Sequence, residues 1–154
     1  MYMENNLTVF DIANYFSSKE DMTHKKLQKL VYYAYAWYIA LNNEVSSNII
    51  HRLCSNTNFE AWVHGPVCRD LYSFYAGLYN VGKYAGKISE NITEDIANFL
   101  DRIYDVFGGF SGDQLESMTH QEKPWLNARN GASSSSACRT KISERDMFTY
   151  YNSL

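Results

Sequence analysis

The side chains of this chain that could do chemistry are four histidines, three cysteines and a few adjacent carboxylates. His24, His51, His64 and His120 are scattered, and no two stand at the i, i+4 spacing that puts two metal ligands on one helix face. Cys54, Cys68 and Cys138 form no CxxC pair and no zinc-finger spacing. There is no Walker loop, GxGxxG, HExxH or GxSxG. One constellation stays open to tertiary assembly, His64 and His120 with Cys68, which would serve a metal or a catalytic dyad. The ordinary reading is that such cysteines pack in a core and such histidines are partly buried. Glu94-Asp95 falls in a helix's first turn, where carboxylates offset the dipole. The expectation is therefore no catalytic residue, no metal and no cofactor: not an enzyme.

A second group is basic. Lys25, Lys26 and Lys29 lie near a helix start, the end where cations are least welcome. Runs of this kind are ordinarily a solvated face; the functional reading is an electrostatic contact with an acidic partner or a phosphate backbone. No aromatic residue interleaves with them as stacking on single strands requires. The net charge of −3 also argues against a nucleic-acid footprint.

Composition bounds the rest. The 154 residues fit one domain, residues 1–154, and 45% hydrophobic against 20% charged places the chain among folded globular proteins. Thirteen tyrosines stand out within 16% aromatics. Tyrosine packs a ring and still offers a hydroxyl, which suits a core bordering a contact surface. Residues 1–10 lack the basic-then-apolar order of a signal peptide, and the most apolar run, 30–41, is too short to span a bilayer. Free cysteines, no leader and no span lead to an expected cytoplasmic location.

The elements that would position these residues announce themselves by helix-start signals. A Ser or Thr caps an orphan backbone N–H while apolar residues at N′ and N4 clasp across it. Leu7-Thr8 with Ile12, Met22-Thr23 with Leu27, Phe110-Ser111 with Leu115 and Ile142-Ser143 with Met147 all have this form, and Ile92-Thr93 has the cap. These predict helices over 8–18, 23–42, 93–107, 111–120 and 143–152. Leu71, Phe74, Tyr75 and Leu78 predict another near 67–79. In the second helix Leu27, Leu30, Val31, Ala34, Tyr38 and Leu41 keep the 3.6 period, with aromatics over the other side, so it should be buried by several neighbours. Phe59-Glu60-Ala61-Trp62-Val63 alternates as a short strand does; His64-Gly65-Pro66 breaks it, with Pro66 opening the next helix. Residues 82–87 read as a loop and 130–141 as an exposed, mobile segment. The fold class is mainly α, a single compact helical domain of about six helices with a small β element.

Three segments are more elaborate than a core requires: Thr23-His24-Lys25-Lys26-Leu27-Gln28-Lys29-Leu30 running on to Trp37, Phe59-Glu60-Ala61-Trp62-Val63-His64-Gly65-Pro66-Val67, and Leu115 with Thr119-His120, Pro124-Trp125 and Ala128-Arg129. In this order they resemble the Panacea (SocA-like) domain family, whose pattern runs T-x-x-K-L-Q-K-L-x-Y-Y-A-x-A-W, then F-E-A-W-x-x-G-P-V, then L-x-x-x-T-H…P-W-x-x-A-R, and closes on an Ile-Ser/Thr helix start here at Ile142. Cys68-Arg69-Asp70 and the serines of 133–136 depart from that pattern.

The resemblance implies an antitoxin of a bacterial or prophage toxin–antitoxin pair, neutralising its cognate toxin by direct protein–protein binding. The partner-binding candidates are His64, Gly65 and Pro66 with Thr119, His120, Trp125 and Arg129, taken as exposed polar-aromatic surface or as residues that set the fold. Lys25, Lys26 and Lys29 are a further electrostatic contact. The alternatives are a proteolytic adaptor that carries a toxin to a cellular protease, and a DNA-binding autoregulatory module. Sequence leaves the oligomeric state open.

Overall fold

The computed structural model describes residues 5–133 and 135–154. Its elements run α1 (Val9–Ser17), α2 (His24–Asn42), β1 (Glu60–Trp62), β2 (Gly65–Val67), α3 (Arg69–Phe74), α4 (Glu94–Phe107), α5 (Gly112–Thr119), α6 (Lys123–Arg129) and α7 (Glu144–Asn152). The architecture is mainly α, seven helices among the described residues with one two-stranded antiparallel sheet. No helix among them is long and apolar enough to cross a membrane.

The five Ser/Thr caps all form: Thr8, Thr23, Thr93, Ser111 and Ser143 each accept a hydrogen bond from the N3 amide, and Thr8–Asp11 and Ser111–Gln114 close reciprocal capping boxes. Two helices differ from expectation. The stretch near 67–79 is helical only over Arg69–Phe74, because Leu71 and Tyr75 alone find the core while Phe74 and Leu78 face solvent, and Gly77 turns the chain at φ +83°. Helix α6 carries no Ser or Thr cap to announce it; Pro124 lies in its first turn, where the missing amide proton would be unbonded anyway.

α2 is the axis. It packs most extensively on α7 and also against α5, α1, α4 and β2. Residues 27–36 are buried without a break, which explains an apolar pattern that runs round the helix; Leu41, placed on the core stripe by periodicity, is exposed. Full burial of each large side chain contributes roughly 2 kcal/mol. The tyrosine content has a specific use here. Tyr33 and Tyr151 both donate to Glu122 Oε1, at 2.9 and 2.8 Å, and the Tyr32 and Tyr151 hydroxyls lie 3.1 Å apart. Tyr35 donates to Glu144, which Arg52 also grips through Nε and a terminal nitrogen. Ring faces fill the core while hydroxyls tie α2 and α7 to carboxylates that start α6 and α7.

Residues 131–137, apart from 134, which lies outside the described set, are exposed, but the end of the segment read as mobile is paired to β1. Ala61 N donates to Thr140 O at 2.9 Å and Ile142 N to Phe59 O at 2.7 Å, so β1 runs between β2 and an extended 140–142 stretch. A two-stranded hairpin by itself is marginal in water, and the third segment covers the open edge of β1.

Candidate functional site

β1 and β2 form a hairpin in the register Glu60↔Val67, Ala61↔Pro66 and Trp62↔Gly65, with Val63-His64 as the turn. Pro66 belongs to β2 and does not open the next helix, which begins at Arg69. Gly65 has φ +98°, a region that side chains with a Cβ rarely adopt, and glycine after a tight turn is a familiar hairpin device. It is also crowded: a Cβ there would lie 2.6 Å from Lys29 Cε and 3.0 Å from Thr119 Oγ1.

The hairpin backbone is held by side chains of two helices, α2 and α6. Arg129 donates to Ala61 O at 2.7 Å, Trp125 Nε1 to Trp62 O at 2.9 Å, and Lys29 Nζ to Pro66 O at 3.2 Å. Gln28 clasps Cys68 from both ends, its amide nitrogen on Cys68 O at 3.2 Å and its oxygen on Cys68 N at 2.9 Å. His120 stacks on Trp125 with ring centres 4.0 Å apart and 18° between planes, and the Arg129 guanidinium lies 4.7 Å from the same ring. Burial holds the His120 imidazole below its ordinary value, against the pull of Glu116 and the Val63 backbone. Arg129 further donates to Ser133 O and Ser136 O, anchoring the serine loop.

This places the candidate residues in two classes, with the half-buried His120 between them. Thr119, Trp125 and Arg129 are 0, 3 and 4% exposed, and Gly65 and Pro66 are buried, so these five are not exposed surface. They converge under the hairpin because its short strands carry carbonyls that helices on one side alone can satisfy. Thr119 turns its hydroxyl back to Glu116 O at 2.8 Å. His64 is the exposed member, its side chain 68% accessible, with Nδ1 3.1 Å from Glu116 Oε1. The basic run is not a solvated face either. Lys25 pairs with Asp113 and Glu116 at 2.9 and 2.7 Å, Lys26 with Glu20 at 3.0 Å and Gly108 O at 2.5 Å, and Lys29 is buried. The cause is α5, which lies so close to the start of α2 that a Cβ on Gly112 would be 3.1 Å from Lys26 N.

Between the hairpin and the start of α2 a cleft of about 350 Å³ opens to solvent. Trp62, Val63, Val67 and Tyr72 make its apolar walls, with Trp62 and Tyr72 rings 4.9 Å apart. His24, Lys25 and Lys29 line its inner end, and Cys138 and Arg139 its rim. The Arg139 guanidinium is 5.6 Å from the Trp62 ring centre. Desolvation pushes Lys29 down to about 7, against the attraction of Glu116. Burial and Lys29 also lower His24. Burial alone would raise Glu116, but Lys25 and His64 hold it below the usual carboxylate value. Sequence reasoning missed Gln28, Tyr72, Glu116, Cys138 and Arg139 here; an uncharged polar residue next to Leu27 on the central helix was the one available signal, at Gln28.

Among the described residues no three His, Cys, Asp or Glu side chains converge as a metal site requires. His64 and His120 have separate partners, one exposed beside Glu116 and the other stacked on Trp125, and Cys68 is engaged through its backbone by Gln28. The arrangement is that of a presenting scaffold: buried polar side chains fix a hairpin whose turn and flanking cleft face solvent.

A mainly helical domain carrying one small hairpin is the class this outline defines. The family model described as Antitoxin SocA-like, Panacea domain matches residues 27–126, and the chain belongs to that family. No curated protein and no solved structure matches the chain. The match takes in α2 from Leu27 onward, the hairpin and most of the supporting residues, and ends before Arg129.

Proposed function

We propose that the chain neutralises a protein toxin by binding it directly, with the Val63-His64 turn and the cleft beside it as the contact surface. One observation carries the reading. Lys29, Trp125 and Arg129 hold one small hairpin by its backbone and Gln28 holds the Cys68 backbone next to it, while the hairpin's own turn is left to solvent. A rigidly held turn beside a concave apolar surface binds without first losing loop entropy. Rows of buried hydrogen bonds to a three-residue strand make sense where the position of that strand matters to something outside the fold.

The test is co-expression with the product of the neighbouring gene, scoring growth and co-purification. Rescue with a stable complex, weakened by His64→Asp and Tyr72→Ala in chains that still melt normally, supports the reading. Full neutralisation by both variants removes this surface from it. Toxin half-life in the same cells separates the mechanisms: a shortened half-life would make the chain an adaptor for a protease, and an unchanged one leaves binding as the means.

A further inference from the structure

The cleft holds a charge that the fold does not balance. Lys29 is 1% exposed, and its ammonium makes one hydrogen bond, to Pro66 O, of the three it can donate. Among the described residues no carboxylate pairs with it within 4.0 Å. Glu116, on α5, is the acid it feels, and that carboxylate is already taken by Lys25 at 2.7 Å and His64 at 3.1 Å. Around it stand His24 and Lys25 on its own helix, His64 on the hairpin, His120 at the end of α5 and Arg139 at the rim, all cationic when charged, and the Tyr72 phenol and Cys138 thiol, which are neutral until they lose a proton. No Asp or Glu lines the cleft. A buried ammonium without a counter-ion destabilises a fold by several kcal/mol, about what a hydrophobic side chain of its size would recover. A charge of this kind at the inner end of an open cleft is the mark of a site that receives its partner from outside.

We propose that the cleft is a recognition pocket for a carboxylate on a partner's peptide segment, an Asp or Glu next to an aromatic or aliphatic residue, with Lys29 and Lys25 receiving the carboxylate and Trp62, Val67 and Tyr72 its apolar neighbour. This rests on the direct-binding reading above and specifies the chemistry of what is bound. A cleft of about 350 Å³ has room for about a dozen waters, far more than a free carboxylate displaces, and its apolar walls need a hydrophobic occupant. A polyphosphate backbone is disfavoured, because Asp113 and Asp70 stand exposed and Glu60 lies beside Trp62 Nε1, where they repel a run of anions. Because burial leaves Lys29 only partly protonated near neutrality, the incoming carboxylate draws a proton onto it, and binding weakens as pH rises.

The experiment is selection of a random heptapeptide phage library on the full chain and, in parallel, on Lys29→Met. The best peptide is then titrated by calorimetry beside its Gln-for-acid counterpart. The expected result is enrichment of Asp or Glu adjacent to an aromatic or aliphatic residue on the unaltered chain, with roughly tenfold weaker binding of the Gln peptide. Lys29→Met should bind both peptides alike. Affinity for the acidic peptide should fall roughly tenfold or more between about pH 7 and about pH 9, above the ordinary histidine range, and that of the Gln peptide should not. Tyr72→Glu, at an exposed position, sets a rival carboxylate at the cleft and should abolish binding even if Lys29→Met does not fold. No enrichment, enrichment of neutral or basic peptides, or the same acid preference in Lys29→Met overturns the proposal. So does displacement of the peptide by acetate alone, which would make this a site for free small carboxylates, or by a short oligonucleotide. If no peptide is selected while His64→Asp still loses toxin neutralisation, the pocket chemistry is wrong and the contact surface stands.

Discussion

Lys29 gives up its proton more readily folded than unfolded, since burial lowers it from the ordinary 10.5 to about 7. The unfolded chain therefore binds more protons between those values, and this residue makes stability rise with pH from about 7 upward. Lys29→Met should raise stability by about 2 kcal/mol near pH 6, net of the lost bond to Pro66 O, with the gain shrinking as pH climbs towards 10.5; urea unfolding at a series of pH values measures it. Glu122 works in the other direction. Burial raises its carboxyl above 4.5, opposed by the Tyr151 and Tyr33 hydroxyls, so stability falls as pH rises from 4.5 through its raised folded value. Glu122→Gln keeps an oxygen for both tyrosines and should flatten that fall with little loss near pH 7. Glu122→Leu leaves those hydroxyls without their acceptor and should lose roughly 2–4 kcal/mol, read in the same unfolding curves.

At the scale of elements the hairpin depends on glycine in a way the other turns do not. Gly65→Ala meets both a positive φ and the Lys29 side chain, and should lower stability by roughly 2–4 kcal/mol. Gly77→Ala has the same kind of φ but open space around it, and should lose about 1 kcal/mol. Thermal melts of the two variants side by side separate strain from crowding. The helix starts were legible in sequence because a cap is a local code: Thr23 needs only Lys26 N, three residues away. α6 was hidden because Glu122, its N-cap residue, makes no capping bond and points its carboxylate at Tyr33 and Tyr151 instead. β2 was hidden because three residues containing Gly and Pro carry no alternation, and the groups that hold Pro66 and the adjoining Cys68, Lys29 and Gln28, lie 37 and 40 residues away. For the same reason the burial of Thr119, Trp125 and Arg129 could not be read from types that usually mark surfaces. The motifs named the right region, and only the tertiary contacts divided it into support and display.

Across the whole molecule support and display should come apart under mutation. His64→Asp alters an exposed side chain that pairs with Glu116, and should leave the melting temperature within about 2 °C of the unaltered chain while reducing toxin binding. Arg129→Ala releases Ala61, Ser133 and Ser136 together, and should lower both, by roughly 3 kcal/mol in stability. Calorimetric melts paired with a pull-down of the co-expressed toxin distinguish the two patterns.

The tyrosines bonded around α2 also give the chain an optical property. Tyr32, Tyr33, Tyr35 and Tyr151 are pushed far above the ordinary phenol range, chiefly by desolvation, so they stay un-ionised while the fold lasts. Raising the pH and following phenolate absorbance should give a first, instantaneous step smaller than thirteen tyrosines would produce. The missing absorbance should then grow in at the rate the molecule opens. The interior thus carries its own chromophore for unfolding, with no added dye and no engineered label.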